Sequence, residues 1–229
     1  MFTLNHPYVN SVNNLKYLNK NKPEKRSTYR HGDLYRTMLN TAVELARSGG
    51  AEAILLREVT RQAGVSPNAA YRHFSDRNAL LKAVGLASQA ALAVEIEKEI
   101  NKIDESDDQA RNARARLRAV GTGYIKFALN EPGLFSMAFS IHQDLSNASD
   151  PNSAGESGLT PYQLLGTALD MLVKAGILPE ERREHSEIYA WSAVHGYAML
   201  LLTGPLRAFN KNQAEILGQR LIDMVERGL

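Results

Sequence analysis

The twenty residues 55–74, LLREVTRQAGVSPNAAYRHF, admit few local structures. Gly64 stands between two short amphipathic stretches and tolerates the positive φ that a sharp turn requires. Ser66 can cap a second helix, and Pro67 suits its first position, where the missing N–H costs nothing. The segment therefore predicts two short helices that cross steeply over a turn of three or four residues.

The two faces of this unit differ in chemistry. Its inward face is apolar and consists of Val59, Ala63, Val65, Ala70 and Phe74. The second helix leaves on or beside its outer face the residues Asn68, Ala69, Tyr71, Arg72 and His73. A two-turn helix that exposes Asn, Tyr, Arg and His contributes little to stability but is well suited to the major groove of DNA.

The distribution of charge also bears on the partner. The formal net charge is only +2, but residues 1–82 carry 13 Lys and Arg against 6 Asp and Glu, whereas the rest of the chain carries 14 against 19. A basic head on an acidic body favours a polyanion such as nucleic acid as the partner of the head. A chance imbalance on a solvated surface would give the same counts, so charge alone leaves both interpretations open.

Helical periodicity runs through most of the chain, and no long stretch alternates with the period of two that a sheet requires. Asp33 is the expected N-cap of a first helix that ends at Gly49-Gly50, and Asp76 is the expected cap of a long helix to about Asn101. Further helices are expected at about 110–130, 132–142, 160–175, 180–203 and 211–227. Residues 143–158, rich in Ser, Asn, Asp and Gly, predict a flexible loop.

These patterns predict an all-α protein with three regions. Residues 1–28 contain six Asn by position 21 and no sustained helical stripe, which is typical of a flexible N-terminal arm. Residues 29–84 are expected to form a three-helix domain that contains the helix-turn-helix. Residues 85–229 are expected to form a larger helical domain for ligand binding and dimerisation.

Several short motifs in residues 29–84 occur together in one known family. They are Tyr29-Arg30-His31-Gly32-Asp33-Leu34, Ala63-Gly64-Val65-Ser66, Tyr71-Arg72-His73-Phe74, Asp76-Arg77 and Leu80-Leu81. Together they resemble the DNA-binding domain of TetR-family regulators of the TetR/AcrR type. The resemblance implies a sequence-specific regulator that binds double-stranded DNA as a homodimer at an inverted-repeat operator.

Carried onto this sequence, the resemblance implies that Tyr71, His73 and Arg77 contact phosphates. The full set of DNA-binding candidates is Arg57, Ser66, Pro67, Asn68, Ala69, Tyr71, Arg72, His73 and Arg77. The side-chain chemistry suits base reading, because Arg can bind a guanine edge, Asn an adenine edge, and Pro or Ala a thymine methyl. For each residue, ordinary exposure on a helix surface is the alternative interpretation.

The segment Trp191-Ser192-Ala193-Val194-His195-Gly196 resembles the tryptophan and His-Gly motif of one class of TetR-family C-terminal domains, the WHG type. Aromatic residues and histidines near it could line a pocket for a small-molecule effector. The candidates are Tyr124, Phe127, Phe135, Phe139, His142, Trp191 and His195. A well-packed helical core would produce the same pattern.

The last two helices carry broad apolar stripes, which the resemblance assigns to a four-helix bundle with a second copy of the chain. The dimerisation candidates are Ile188, Met199, Leu202, Leu217, Leu221 and Met224. Packing within the monomer is the alternative. DNA binding favours the dimer, because one two-turn helix contacts too few bases and a symmetric pair can contact two half-sites.

The function that these observations favour is a repressor that a small-molecule ligand releases from its operator. An activator or a ligand-independent regulator would need the same DNA contacts, and an interaction protein that has lost its operator is a further alternative. An all-α enzyme is the remote alternative, because no metal-ligand spacing, phosphate loop or nucleophile elbow occurs. No cofactor or metal is expected. With no cysteine, and with no apolar run near the about 18–20 residues that span a bilayer, we expect a cytoplasmic protein without a membrane partner.

Overall fold

The computed structural model describes residues 31–140 and 148–229, without the side chains of residues 31–33. The helices in these ranges are α1 (His31–Ala53), α2 (Leu56–Ala63), α3 (Pro67–Ala70), α4 (Arg77–Ile100), α5 (Gln109–Asn130), α6 (Pro132–Ser140), α7 (Pro161–Lys174), α8 (Ser186–Leu202) and α9 (Lys211–Gly228). Within these ranges no residue is in a strand, which confirms the all-α prediction. The predicted arm and His142 lie outside the described residues.

Two details of α1 differ from the prediction or refine it. The chain is already helical at His31, so Asp33 lies inside α1 and the prediction of an N-cap there is wrong. The break at Gly49-Gly50 is confirmed, because both residues are non-helical and Gly50 has a φ of 60°. One further turn ends at Ala53 before the chain enters α2.

The longest helix, α4, joins the N-terminal helices to the rest of the protein. Its N-cap is Asp76 as predicted, with the carboxylate accepting a hydrogen bond from the Ala79 N–H at 2.8 Å. By length and composition α4 is apolar enough to cross a membrane. Its apolar residues instead pack against α1, α5, α6 and α7, so the core of a folded domain accounts for them.

The described part of the loop before α7 is packed rather than flexible, which corrects that prediction for residues 148–158. Glu97 of α4 is 8% exposed, and its carboxylate accepts hydrogen bonds from the backbone N–H groups of Glu156 and Ser157 and from the Ser157 hydroxyl. A Cβ on Gly155 would lie 2.6 Å from Oε2 of Glu97. The loop therefore lies against α4 because a buried carboxylate needs its N–H groups.

The helix predicted at 180–203 is two elements. Glu180–Arg182 forms a short 3₁₀ turn, and α8 begins only at Ser186. His185, between them, has a φ of 61°, a left-handed conformation that no α-helix contains. The predicted helices at 110–130, 160–175 and 211–227 agree with α5, α7 and α9 to within one or two residues.

Helix α6 crosses the C-terminal end of α1 at very short range. A Cβ on Gly133 would lie against the backbone carbonyl oxygens of Ala46 and Arg47, the latter 2.6 Å away. Arg47 also forms an ion pair with Glu131 at the start of α6. This close approach ties the N-terminal helices to the C-terminal region.

We expect Gly133→Ala to lower the free energy of unfolding by about 1–3 kcal/mol, because the added methyl group meets rigid backbone. Urea denaturation at a fixed protein concentration measures the change. Ser136→Ala is the matched control, since Ser136 is exposed on the same helix. Equal stability of the two variants would contradict the close crossing.

Candidate nucleic-acid interface and ligand cavity

The turn between α2 and α3 has the predicted geometry. Gly64 has a φ of 67°, and the Ser66 hydroxyl accepts a hydrogen bond from the Ala69 N–H at 3.3 Å. Pro67 occupies the first turn of α3. Although α3 ends at Ala70, the N–H groups of Tyr71, His73 and Phe74 still donate hydrogen bonds to carbonyl oxygens three or four residues earlier in the chain. The recognition segment is thus one regular turn and a second, looser one.

The inward face of this unit is also as predicted. Val59, Ala70 and Phe74 are at most 2% exposed, and Ala63 is buried. Val65 is half-buried and packs against the core. The Phe74 ring stacks on Tyr35 of α1 with centroids 4.9 Å apart, which holds the recognition segment against α1.

Most of the DNA-binding candidates face solvent. Tyr71 is 57% exposed although its ring is large and apolar. The other exposed candidates are Arg57, Ser66, Pro67, Asn68, Arg72 and Arg77, while Ala69 and His73 are half-buried. An aromatic ring left in water on a short helix lacks a packing role, which is the expected state of a contact residue before it meets its partner.

Charge on α2 is partly neutralised. Glu58 accepts hydrogen bonds from Arg61, and this contact with Arg61 is the main reason that the pKa of Glu58 is lowered to about 2. Arg57 forms no ion pair among the described residues. Of the two arginines on α2, Arg57 therefore keeps its charge available for a phosphate or a guanine.

The guanidinium of Arg77 is bound within the protein. Its Nε donates to the Ile54 carbonyl at 2.8 Å, and its Nη2 donates to the Ala51 carbonyl at 2.6 Å. These carbonyls belong to the turn between α1 and α2. Arg77, the first residue of α4, thereby joins α4 to that turn.

A second feature is a cavity of about 480 Å³ among the helices of the C-terminal region, within the range of ligand sites. Its walls come from α4, α5, α6, α7, α8 and α9 and the loop before α7. They include Gln89, Leu92, Ile96, Leu117, Val120, Tyr124, Ala138, Phe139, Ala148, Pro161, Tyr162, Leu165, Trp191, Ser192, His195, Ile222 and Val225. The lining is mostly apolar, with a small polar group at one side.

That polar group consists of Tyr124, Trp191 and His195. The Tyr124 hydroxyl lies 2.7 Å from Nδ1 of His195 and accepts a hydrogen bond from Nε1 of Trp191 at 3.1 Å. Burial raises the pKa of Tyr124 and lowers the pKa of His195, so both are neutral near pH 7. Phe139 completes the aromatic wall, with its centroid 4.9 Å from that of His195.

The cavity contains four of the seven pocket candidates, namely Tyr124, Phe139, Trp191 and His195. Phe127 and Phe135 are 3% and 1% exposed and lie in the core, not on the cavity wall. Sequence reasoning missed Gln89, Leu92 and Ile96 of α4 and Tyr162 and Leu165 of α7. A helical stripe is the only signal that they carry, and it is the same for a residue on a cavity and a residue in the core.

The outer faces of α8 and α9 form an apolar surface. Among the described residues, ten large apolar side chains are exposed, and eight of them lie on α8, α9 or the segment between them. Four dimerisation candidates are in this set: Ile188 (40%), Met199 (40%), Leu217 (36%) and Met224 (59%). Leu202 and Leu221 are half-buried. Sequence reasoning missed Tyr189, Leu200, Phe209 and Ile216.

The stripe predicted along α8 contains residues in two environments. Trp191 and His195 line the cavity, whereas Ile188 and Met199, on the same stripe, are exposed. The exposed Gly196 lies on α8 as well, and a Cβ there would meet no atom within 4 Å. One helix therefore contributes side chains both to the cavity and to the apolar surface.

Two family models match this chain. The model of bacterial regulatory proteins of the tetR family matches residues 38–84, and the model of the tetracyclin repressor-like C-terminal domain matches residues 117–225. Together they span more than half of the chain. It belongs to the TetR family.

Solved structures of other proteins agree with this membership. A protein of unknown function from Rhodococcus sp. RHA1 is 26% identical, with a TM-score of 0.68, and the match covers 89% of this chain and 99% of that one. A TetR-family transcriptional regulator from Pectobacterium atrosepticum is 20% identical, with a TM-score of 0.60, over 89% and 97% of the two chains. A TetR regulator from Rhodococcus sp. RHA1 shares the fold at 21% identity and a TM-score of 0.52, over 86% and 97%. A search of curated proteins found no significant match.

This TetR-family protein is a DNA-binding transcriptional regulator. The N-terminal family model covers α2, α3 and most of α1, and extends into α4 as far as Val84. The exposed candidates around α3 lie inside that match, and the cavity lies almost entirely in the region of the C-terminal model and in α4. The exposed face of the helix-turn-helix and the cavity therefore both belong to parts of the chain that are typical of this family.

In this TetR-family regulator we expect Arg77 to position the DNA-binding helices rather than to neutralise a phosphate, because its Nε–H and one Nη2–H are bound to the Ile54 and Ala51 carbonyls. Arg77→Lys keeps the charge but cannot span two carbonyls with one ammonium group. Arg77→Lys and Arg77→Gln should therefore weaken operator binding about equally, by roughly tenfold, with an unchanged dependence on salt.

Binding measured across a series of salt concentrations distinguishes the two roles of Arg77. A phosphate contact would survive in Arg77→Lys, and its loss in Arg77→Gln would reduce the salt slope by about one per contact. That pattern would contradict the positioning role and support the phosphate contact that the family resemblance implies.

Proposed function

We propose that this TetR-family protein is a cytoplasmic repressor that binds an inverted-repeat operator as a homodimer and leaves it when a small apolar molecule fills the cavity. The observation that carries the proposal is that α4 runs from the DNA-binding helices to the cavity. Gln89, Leu92 and Ile96 of this helix line the cavity, and Arg77 at its first residue binds the turn before α2. A shift of α4 at the cavity would therefore move the DNA-binding helices directly.

The proposed DNA contacts are those on the exposed side of α2 and α3. Tyr71 and His73 would contact phosphates, and the bases would be read by Arg57, Pro67, Asn68, Ala69 and Arg72. Ser66 would stay beside the DNA as the cap of α3. The half-buried His73 lies 6.3 Å from Tyr35 between ring centroids, which limits the orientations of its imidazole.

The apolar surface of α8 and α9 supports the homodimer. Exposed apolar side chains concentrate on these two helices and the segment between them, and such a concentration is typical of a site of association. Two copies that pair α8 and α9 would form a four-helix bundle with two-fold symmetry. The symmetry would place two recognition segments about 34–36 Å apart, which matches one turn of DNA.

The coupling between ligand and DNA would use α4 and α6. Ala138 and Phe139 of α6 line the cavity, while Gly133 at its other end lies against the backbone of α1. A ligand that binds one arrangement of these helices better than another shifts the population toward it. Repression follows if the empty protein holds the arrangement that fits the operator.

An activator or a ligand-independent regulator would use the same DNA contacts. The cavity between α4 and α8 favours a ligand-dependent protein over a ligand-independent one. Transcription from a promoter that carries the operator distinguishes a repressor from an activator, because a repressor lowers this transcription and an activator raises it.

Selection of the purified protein against a random DNA duplex library tests the proposal, repeated at low and near-physiological salt. We expect enrichment of an inverted repeat whose half-sites are one helical turn apart, and this enrichment should persist at the higher salt. Binding without any enriched sequence that is lost as salt rises would mean that the head is only a basic patch, and would refute the proposal.

A further inference from the structure

We infer that the cavity binds a neutral, largely apolar aromatic molecule with a hydrogen-bond-accepting oxygen, such as a carbonyl, and that Nε2 of His195 donates to this oxygen. The inference deepens the proposed function, because it names the ligand class of the same cavity. It rests on that proposal only for the effect of the ligand on DNA, not for binding itself.

The charge of the ligand follows from the cavity wall. None of the described residues that line it is Asp, Glu, Lys or Arg. Against these described residues an ionised ligand would lose its hydration shell without meeting an opposite charge, which is strongly unfavourable. A neutral ligand avoids this cost and buries its apolar surface against Leu92, Ile96, Leu117 and Ile222.

The hydrogen bonds of the polar group determine which nitrogen of His195 carries a proton. The indole N–H of Trp191 can only donate, so the Tyr124 oxygen accepts from it. Among the described residues the only acceptor within reach of the Tyr124 hydroxyl proton is Nδ1 of His195, 2.7 Å away, so we assign the proton to that contact. A neutral imidazole whose Nδ1 accepts a hydrogen bond must carry its proton on Nε2.

This Nε2–H is the donor that the group of Tyr124, Trp191 and His195 leaves for a ligand. Nε2 has no hydrogen-bond partner in residues 31–140 and 148–229. It is not one of the buried, unpartnered polar atoms, so it keeps some accessible surface. Because His195 lines the cavity, the donor can reach a ligand there. Trp191 and Tyr124 use their own donors within the group, so a ligand that hydrogen-bonds to this group at His195 supplies an acceptor.

The surroundings of His195 indicate the rest of the ligand. The ring centroids of Phe139 and Trp191 lie 4.9 and 6.1 Å from that of His195, so aromatic side chains flank the donor. Offset and edge-to-face contacts with such rings favour an aromatic group next to the accepting oxygen. An aryl ketone combines both features in a molecule small enough for a cavity of about 480 Å³.

Three probes of nearly the same shape test the ligand class: benzophenone, diphenylmethane, which lacks the carbonyl, and the anion 4-benzoylbenzoate. Isothermal titration calorimetry on the full chain without DNA measures each Kd. Fluorescence of Trp191, which is the only tryptophan, reports whether the probe enters the cavity. We expect benzophenone to bind about tenfold more tightly than diphenylmethane and at least tenfold more tightly than the anion.

Variants assign the carbonyl preference to the proposed donor. His195→Phe should bind benzophenone and diphenylmethane equally well, because the N–H is gone and the ring remains. His195→Gln, which keeps an N–H donor and an acceptor for Tyr124, should retain part of the preference and serves if His195→Phe does not fold. His73→Phe is the matched control in the DNA-binding head and should keep the full preference.

Each outcome bears on the inference separately from the proposed function. Equal affinity for benzophenone and diphenylmethane in the natural protein, or tighter binding of the anion, would overturn it, and so would failure of all three probes to bind. A preference for the carbonyl that His195→Phe removes would support it. If benzophenone binds in this way but leaves operator binding unchanged, the ligand class stands and release of the operator by such a ligand fails.

Discussion

Paired substitutions Met199→Glu and Leu217→Glu are expected to convert the regulator to a monomer and to reduce operator affinity by at least about 100-fold. Both side chains are exposed in the single chain, one on α8 and one on α9. In a two-fold bundle the pair would place four carboxylates in an apolar interface, where a charge without a partner costs several kcal/mol. A monomer would then bind one half-site with one recognition segment.

Sedimentation or light scattering measures the oligomeric state, and circular dichroism shows whether the helices remain. Ser136→Glu is the matched control, because Ser136 is an exposed helical residue outside the apolar surface of α8 and α9. It should remain a dimer with normal operator affinity. A double variant that remains dimeric would place the interface elsewhere and would remove the reason for the exposed apolar residues.

Tyr71→Ala is expected to reduce specific operator affinity by about 100-fold or more, with the free energy of unfolding unchanged. The side chain is 57% exposed, so its removal leaves no cavity in the core. A hydrogen bond to a charged phosphate contributes about 1.5–3 kcal/mol, and a symmetric dimer would lose it twice. Titration of the selected operator near physiological salt measures the loss.

Tyr71→Phe separates the two parts of this side chain, because it removes only the hydroxyl. We expect it to lose most of the phosphate contribution and to keep the contact of the ring with the DNA. Gln62→Ala, an exposed change on the neighbouring helix α2, is the control and should bind normally. If Tyr71→Ala bound the operator as tightly as the natural protein, the assignment of α3 as the recognition segment would be wrong.

The features that sequence reasoning predicted correctly depend on neighbours a few residues away. Gly64 tolerates a left-handed backbone, Ser66 accepts the N–H three residues on, and Asp76 does the same for α4. Each of these interactions closes within one helical turn, so the local sequence contains all the atoms that take part. One wrong prediction, an N-cap at Asp33, concerned the start of a helix, which lies at His31 in α1.

The cavity required information from distant parts of the chain. Phe135 and Phe139 are four residues apart on α6 and share its inner side, but Phe135 is sealed in the core and Phe139 forms part of the wall. No pattern within α6 separates them, because the difference depends on where α4, α5 and α8 leave space. The same is true of α8, where Trp191 lines the cavity and Met199, on the same stripe, is exposed.

The roles of Arg77 and Glu97 on α4 also depend on distant parts of the chain. The family resemblance implied a phosphate contact for Arg77, and no sequence pattern singled out Glu97. Their partners, the carbonyls of Ala51 and Ile54 and the N–H groups of residues 156 and 157, come from turns that are 23 to 60 residues away along the chain. The sequence by itself determined most of the helices, the caps at Ser66 and Asp76 and the turn that presents Tyr71, because these depend on short-range backbone geometry. Only the tertiary structure decided which side chains are bound inside the protein and which surround an open cavity, because that depends on how whole helices pack.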